Sequence, residues 1–534
     1  MAKKAKYKPL LFTTTVRNPK RLKSLLNIFQ NYNSQILTND LATEIMGEII
    51  RFGLYRPTRG ITKTIEQKWG AKRISDKSSI GEETLSDKEV IHLIDRNPQD
   101  HKEAGFEEGW PSRFATVFDF AKELGFVYFN INEKIFFSEI GLKLANSVEI
   151  TNPNDEILFD EPHPEFEQQA FLHAMAKSQR SNPFVRVLND NIPLILLLQV
   201  IQKLNNDNEF NGAGISRLEL PLVLYWRDNN SDNLYQRIKK LRTEHGYNPS
   251  WEVITNICRE EIMDGEDIKR EDKSIMNEYP DEFIRKMRLT GVISLRGGGR
   301  FIDINRNEQA KVDYILKEYS DYKKYSTEKE YFEYMSTTDN VLISLKTKPL
   351  DITENDKLLE KWVNHYTWKI IKSELKGLAV RRNSTDPILK FLTHPIRLEF
   401  LTSLAIKANY KDLKIVPNYP CDDEGIPTST AGGQGNQGDI ECFEDENGVL
   451  VEVTMSGGRT QTMMEVWPIE RHLEEFDKKI KAKSMCHFIA PSIFVDSKRQ
   501  IKYVKDDKDL RIEPRSIEEF ISFIETNEKL FEWN

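Results

Sequence analysis

The chain has 534 residues, of which 39% are hydrophobic and 30% charged, which predicts a folded protein of two to four domains and excludes a disordered one. No apolar run approaches the roughly 18 residues of a membrane span, the first eight residues lack the apolar stretch of a signal peptide, and the four scattered cysteines form no Cys-x-x-Cys pair. We therefore expect a protein of a reducing cytoplasm, without a zinc site or a disulfide framework.

The net charge of −8 is unevenly distributed, because residues 1–72 contain 14 Lys and Arg against 4 Asp and Glu. This region carries +10 and the remainder −18. Its first segment, KPLLFTTTVRNPKRLKSLLNIFQNY, predicts a strand, a turn at Asn18–Pro19 and an amphipathic helix. A second helix is capped by Thr38 and has its apolar stripe at Leu41, Ile45, Ile49 and Phe52.

A basic N-terminal region followed by an acidic remainder is typical of a DNA-binding region joined to another domain. A solvated basic helix would give the same charge pattern. The candidate DNA contacts in this part of the chain are Arg17, Lys20, Arg51, Arg56 and Arg59.

One predicted layout occurs twice further along the chain. Residues 112–147 predict a helix, Gly125, a strand, a turn at 130–134, a strand and a helix, and residues 281–316 repeat this order around Gly291. A helix followed by a β-hairpin is the layout of a winged helix, and its repetition suggests a repeated DNA-binding fold. Two ordinary α+β hairpins would look similar. In the second turn Arg296 and Arg300 flank three glycines, an arrangement that can press against a phosphate backbone.

The fold class predicted is a multidomain, helix-rich α+β protein. Residues 1–309 are expected to form a DNA-recognition domain with winged-helix-like parts, including two buried apolar helices, IPLILLLQVIQKL and LPLVLYW. Residues 310–372 are charged and tyrosine-rich with helical periodicity, and predict a helical linker. Residues 373–534 alternate helices and strands, which predicts an α/β domain with a mixed central sheet.

Two carboxylates mark the last domain, in the segment GDIECFEDENGVLVEVT. Two apolar runs flank a polar turn that ends in Asn447–Gly448, which predicts an antiparallel hairpin. Asp439 begins one strand and Glu452 lies inside the other, in an apolar run where a carboxylate is costly without compensation. Two such acids at one sheet edge are stabilised by a bridging cation, and hard oxygen ligands suit Mg²⁺. If Glu452 were on an edge strand, it would simply face water.

Three further features surround this pair. The glycine-rich residues 430–438 would let a DNA backbone approach, or would form a mobile loop. Glu399 lies in the apolar helix IRLEFLTSLAI, either as a third acid near the metal or at a wet helix edge. Glu465 precedes a helix that starts near Pro468. His472 lies on that helix, either as a phosphate-binding or acid/base group or as a structural histidine.

Asp439 and Glu452-Val-Thr454 resemble the nuclease motif PD…(D/E)xK, except that Gly438 replaces the proline and Thr454 replaces the lysine. The wider sequence resembles the AlwI family of type IIS restriction endonucleases. The similarity covers KPLLFTTTVRNPKRLKSLL, GFVYF…SEIGLKLANS and AGGQGNQGDIE…VEVTMSGG…MEVWPIERH. It implies metal-binding acids Glu399, Asp439 and Glu452, with Glu465 and His472 as supporting catalytic residues of a PD-(D/E)XK-type domain.

The predicted function is a Mg²⁺-dependent endodeoxyribonuclease that reads a short asymmetric sequence in double-stranded DNA and cuts a few base pairs outside it. The resemblance implies a bacterial, cytoplasmic enzyme of a restriction–modification system with a cognate DNA methyltransferase and without a membrane partner. A transient homodimer through the cleavage domain is also expected. The alternatives are a strand-specific nicking enzyme of the same family, and a DNA-binding protein whose nuclease-like domain is inactive because the motif lysine is missing.

Overall fold

The computed structural model describes residues 5–11, 18–70, 80–210, 212, 214–265, 271–348, 352–431 and 437–532. In these ranges the helices are, in chain order, α1 Arg21–Phe29, α2 Asn39–Arg51, α3 Lys63–Trp69, α4 Asp87–Arg96, α5 Trp110–Glu123, α6 Glu139–Ala145, α7 Pro164–Lys177, α8 Pro193–Asn205, α9 Leu220–Tyr225, α10 Ser231–His245, α11 Trp251–Asn256, α12 Tyr279–Arg288, α13 Gln309–Glu318, α14 Glu328–Ser336, α15 Asn340–Ser344, α16 Ile352–His365, α17 Trp368–Ala379, α18 His394–Asn409, α19 Gly458–Met464, α20 Val466–Asp477, α21 Val495–Lys508 and α22 Ile517–Thr526.

The strands are short in the first half of the chain and longer in the second. They are β1 Val127–Tyr128, β2 Phe136–Phe137, β3 Glu149–Thr151, β4 Leu158–Asp160, β5 Ile215–Ser216, β6 Ile293–Arg296, β7 Phe301–Ile304, β8 Lys414–Pro417, β9 Ile440–Glu444, β10 Asn447–Val453, β11 Ser484–Ala490 and β12 Ile512–Ser516. None of the helices in the described ranges is both long enough and apolar enough to cross a membrane.

Two compact units make up the chain, and neither is continuous in sequence. The first unit consists of Met1–Thr62, Leu85–Val148 and Glu165–Lys348, and the second of Lys63–Thr84, Glu149–Pro164 and Pro349–Asn534. The second unit thus contains α3 and the β3–β4 hairpin as well as everything from α16 onward. The segment 310–372 is divided between the two units, and its role as a linker remains a prediction, as do the predicted domain limits.

Much of the first unit follows the sequence pattern. Helix α2 begins after Thr38, whose hydroxyl accepts a hydrogen bond from the Leu41 amide at 3.1 Å, so the predicted cap is confirmed. The strand predicted before α1 lies partly outside the described residues. Helices α8 and α9 are buried, because nearly all of their apolar side chains are inaccessible to solvent.

The repeated helix–hairpin–helix order is also confirmed, as α5–β1–β2–α6 and α12–β6–β7–α13. Gly125 and Gly291 end the first helix of each copy with φ +77° in both, a conformation that favours glycine. Strand β5 adds to β7 and makes the second copy a three-stranded sheet. Whether these units are winged helices remains a prediction.

A five-stranded mixed sheet forms the centre of the second unit, with strand order β12-β11-β10-β9-β8. Strands β8, β9 and β10 pair antiparallel, whereas β10, β11 and β12 pair parallel. The predicted hairpin and the predicted mixed sheet are therefore confirmed. The hairpin turn is shorter than expected, because Asn447 and Gly448 already belong to β10 and the left-handed residue is Asp445, with φ +58°.

Helices α20 and α21 cover one face of this sheet. Their apolar side chains form a core with those of the strands, and this core contains Leu450, Val466, Ile469, Leu473, Phe476, Cys486, Phe488, Ile501, Val504 and Ile512. Since side chains alternate along a strand, Leu450, Glu452 and Thr454 all point to the face that α20 covers. The hydrophobic packing of Leu450 therefore fixes the direction in which the polar side chains project.

Candidate active site

Asp439 lies immediately before β9, where its backbone and side chain are both held. Its carbonyl oxygen accepts a hydrogen bond from the Asn418 amide at 2.9 Å. Its carboxylate Oδ2 accepts one from the Val453 amide at 2.8 Å, which ties the start of β9 to the end of β10. The carboxyl group of Asp439 is thereby fixed next to the residue that follows Glu452.

Glu452 lies in the centre of the sheet, because β10 has β9 on one side and β11 on the other. The expectation that it could face water on an edge strand is therefore wrong, and only 6% of the residue is exposed. His472 on α20 reaches this carboxyl group, and its Nδ1 lies at hydrogen-bond distance from Glu452 Oε1, 2.9 Å away. With Nδ1 donating, Nε2 of a neutral imidazole is left as a proton acceptor.

Glu399 is buried within α18, with 4% of the residue exposed, so the alternative of a wet helix edge is wrong as well. Its Oε2 accepts a hydrogen bond from the Ala431 amide at 2.9 Å. Ala431 is the last described residue before 432–436, so most of the predicted glycine-rich loop lies outside the described residues. The negative charges of Asp439 and Glu452 act on Glu399, which places the three acids in one electrostatic cluster.

Glu465 stands at the junction of α19 and α20, where it is held by a threonine. The hydroxyl of Thr454 donates to Glu465 Oε1 at 2.7 Å and accepts a hydrogen bond from the Ser456 amide at 2.9 Å. Thr454 therefore supplies a neutral hydroxyl at the position where the resemblance led us to expect a lysine. The sequence did not reveal this contact, since nothing in the local pattern relates residue 454 to residue 465.

The pKa values of these acids are raised. Burial is the largest cause for Glu399, Asp439 and Glu452, and the pKa of each lies well above its ordinary value, with neighbouring carboxylates adding to the shift. Burial also raises the pKa of Glu465 and lowers that of His472, while the charges of Asp439 and Glu465 favour the protonated imidazole. Burial and the neighbouring carboxylates thus disfavour the charged form of these acids, which a bound cation would stabilise.

The residues fit Mg²⁺ by donor type, because their carboxyl oxygens are hard ligands. In the described ranges, no three His, Cys, Asp or Glu side chains are arranged so that they hold a metal ion together. Mg²⁺ does not require this, because it usually takes one or two carboxylates and completes its shell with water and substrate phosphate. Asp439 and Glu452 supply such a pair of hard oxygen ligands.

Two acids from the first half of the chain also lie in the neighbourhood of the cluster. Strand β4 contacts α19. Beyond the effect of burial, the charge of Asp160 adds to the raised pKa of Glu465 and the charge of Glu161 to that of Glu399. This approach could not be predicted from local sequence patterns, because more than 200 residues separate the β3–β4 hairpin from α18.

The candidate DNA contacts differ in how they are held. Arg51 donates to Glu48, to Asp87 and to the Leu85 carbonyl oxygen, at 2.6 to 2.8 Å. Arg296 is paired with Asp303 at 2.7 Å. These two guanidinium groups already have protein partners, which the sequence pattern did not indicate.

The other candidates have the following contacts. Lys20 Nζ lies 3.8 Å from a Glu167 carboxylate oxygen, Arg56 donates to the Gly53 carbonyl oxygen at 3.0 Å, and Arg300 donates to Asn248 Oδ1 at 2.7 Å. Arg59 is exposed, and within the described part of the chain its guanidinium has no ion pair or hydrogen bond. Arg17 lies outside the described residues. Contact of any of these with DNA remains a prediction.

A model of the AlwI restriction endonuclease family matches residues 122–355 and 340–523. Among solved structures the chain is similar to the small subunit of the heterodimeric restriction endonuclease R.BspD6I (24% identity, 29% of this chain and 76% of that chain, TM-score 0.24). It is also similar to the BpuJ1 endonuclease binding domain in complex with DNA (12%, 63% and 97%, TM-score 0.34) and to restriction endonuclease FokI (12%, 98% and 95%, TM-score 0.24). Comparison with curated proteins gives no match.

The two matched regions together extend from residue 122 to residue 523, which is well over half of the chain. They include all five acidic and histidine side chains of the cluster. The chain therefore belongs to the AlwI restriction endonuclease family.

Proposed function

We propose that this protein is a type IIS restriction endonuclease that hydrolyses both strands of DNA with the help of Mg²⁺, a few base pairs outside a short asymmetric recognition sequence. The observation that carries the proposal is the Glu452–His472 pair within a buried cluster of acids. A carboxylate buried in the middle of a sheet costs stability unless it is paired with another group or binds a metal ion. Binding of a cation would meet this condition in an enzyme that hydrolyses a phosphodiester.

Each residue of the cluster has a proposed role. Asp439 and Glu452 would hold Mg²⁺, with Glu399 beside them. When bound, the ion polarises the phosphodiester and lowers the pKa of a water molecule. His472 would accept a proton at Nε2 while its Nδ1 stays hydrogen-bonded to Glu452. Glu465, held by Thr454, completes the negative charge around the site.

The basic part of the chain is proposed to bind the recognition sequence, through winged-helix-like subdomains in residues 1–309. Exposed Arg59 is the first candidate for a contact with a phosphate or a guanine edge. We place the enzyme in the bacterial cytoplasm, where a cognate methyltransferase protects the host DNA. These assignments are supported by the family membership and by the +10 charge of residues 1–72.

A nicking enzyme is the second candidate function, and it is supported by the presence of a single cluster of acids in the described part of the chain. The five side chains form one cluster, and a single site of this kind hydrolyses one phosphodiester at a time. Cutting of both strands would then need a second copy, which we propose to associate transiently through the cleavage domain.

Digestion of supercoiled plasmid in Mg²⁺ tests the proposal. A linear product with ends at a constant distance from one sequence is expected of the type IIS enzyme, whereas a nicked circle alone identifies the nickase. Intact plasmid under all conditions, with DNA binding retained, would show that the nuclease-like domain is inactive. Asp439→Asn serves as the control for contaminating nucleases.

A further inference from the structure

Two residues of the cluster's surroundings, Gly438 and Thr454, stand where the nuclease motif has proline and lysine. Neither side chain carries a charge. Each is nevertheless in close contact with a member of the cluster. These contacts suggest why the chain has glycine and threonine at the two positions.

Gly438 lies directly against Glu452. A Cβ atom at residue 438 would come within 3.0 Å of Glu452 Oε1 and of the Leu450 side chain, closer than real Cβ atoms approach their neighbours. The backbone is held in place, because the Gly438 carbonyl oxygen accepts a hydrogen bond from Asn418 Nδ2 at 2.6 Å. The adjacent Asp439 also accepts hydrogen bonds, from the Val453 amide through Oδ2 and from the Asn418 amide through its carbonyl oxygen. Any side chain here would have to displace Glu452 from His472 or Leu450 from the core.

Thr454 forms hydrogen bonds through both its backbone amide and its side-chain hydroxyl. Its amide donates to the Ile489 carbonyl oxygen at 2.9 Å, which fixes the residue at the end of β10. Because the Ser456 amide donates to the hydroxyl oxygen, the hydroxyl hydrogen is directed to Glu465. A donor at this point sets the orientation of Glu465 at the start of α20, the helix that carries His472.

We propose that Gly438 and Thr454 are positioning residues of the nuclease site: Gly438 leaves the space in which Glu452 meets His472, and Thr454 orients Glu465. The inference deepens the proposed function and rests on it. It assigns a use to the two motif departures: a lysine at 454 would place a cation where the chain has a hydroxyl, and a proline at 438 would occupy the space of a catalytic carboxylate.

The Gly438 part is tested by Gly438→Ala, with Gly457→Ala as the matched control. Gly457 has φ −150° and no atom within 4 Å of an added Cβ, so the control introduces the same methyl group without a clash. A displacement of about 1 Å costs about 100-fold in rate, so kcat of Gly438→Ala should fall by that order with KM for DNA unchanged. Calorimetric titration of the DNA-free protein with Mg²⁺ should show weaker binding than in the control. Parental kcat and Mg²⁺ binding, or failure of Gly438→Ala to fold, would overturn this part.

The Thr454 part is tested by Thr454→Val and Thr454→Ser. Valine keeps the shape but removes the donor, so kcat should fall by about 10- to 100-fold, as for other groups that orient ligands, while KM is unchanged. Serine keeps the donor and should restore a rate close to the parental one. Thr402→Val is the control, because the Thr402 hydroxyl is buried without a hydrogen-bond partner in the described structure. Equal rates for valine and serine would overturn the role of the hydroxyl.

The two levels of failure can be distinguished. If the parental protein cuts no duplex in Mg²⁺, the proposed function fails, whatever the variants do. If the parental protein cuts and Gly438→Ala and Thr454→Val behave like their controls, only the positioning roles fail.

Discussion

Replacement of Glu452 by glutamine removes one negative charge from the cluster with almost no change of shape. The amide oxygen can still accept a hydrogen bond from His472 Nδ1, which lies 2.9 Å from Glu452 Oε1. Loss of a group that only orients a metal ligand costs about 10- to 100-fold in activity. Loss of a ligand should cost more, so we expect cleavage to fall by more than about 100-fold, or about 2.7 kcal/mol of transition-state stabilisation.

Sequence-specific binding should survive in Glu452→Gln, because less negative charge near the DNA lowers repulsion. The assay is plasmid digestion over an enzyme titration, beside a gel shift in Ca²⁺ for binding. A surface carboxylate would behave differently, since substitutions away from structural features change free energies by about 0.5 kcal/mol or less, roughly twofold in rate. Cutting within twofold of the parental rate would therefore refute the assignment of Glu452 to the metal site.

Three other outcomes are expected. The acids of the cluster have pKa values raised by burial, so their contribution to stability is present below the ordinary carboxyl pKa of about 4 and is lost as pH rises through the raised values. In EDTA, Asp439→Asn should therefore melt at a higher temperature than the parental protein at pH 8, and the difference should be smaller at pH 5. Equal differences in melting temperature at the two pH values would contradict this prediction. Arg59→Ala should weaken DNA binding, by about 1–3 kcal/mol if Arg59 contacts a guanine, and an unchanged DNA affinity would remove Arg59 from the interface. Arg51→Ala should instead lower the melting temperature, because the hydrogen bonds of Arg51 to Glu48 and Asp87 are lost. A fragment ending at Lys348 should bind DNA without cutting it, with a slope of about −0.9 in log K against log salt for each neutralised phosphate; salt-independent binding would exclude it as the recognition part.

The central acids could be predicted because their signals are local. A hairpin with a polar turn between two apolar runs identifies neighbouring strands, and a carboxylate inside such a run is conspicuous. Glu452 and Asp439 were found in this way, and the mixed sheet followed from the alternation of helices and strands. His472 could be suspected from its position on the next helix, but its bond to Glu452 depends on the packing of α20 against β10.

The contacts that were not predicted join residues distant in sequence or lie outside any local pattern. Arg296 looked available for DNA beside three glycines, yet the nearby Asp303 takes up its guanidinium across the hairpin. Gly438 looked like part of a permissive loop, whereas it is a point of close approach to Glu452. The spacing of residues in the sequence predicts the helix or strand in which a residue lies, whereas its contacts depend on tertiary packing.

The discontinuity of the second unit has a consequence for the order in which the chain can fold during synthesis. Residues 63–84 and 149–164 belong to a unit whose remainder begins at residue 349. At about 5 to 20 residues per second, the ribosome needs roughly 10 to 40 seconds to advance from Pro164 to Pro349. During that interval the β3–β4 hairpin has no sheet or α19 to pack against, while most of the first unit is already available to fold. The first unit can therefore fold before the sheet that carries Asp439 and Glu452 exists. If the proposed function is correct, the part that binds DNA is formed before the part that cuts it.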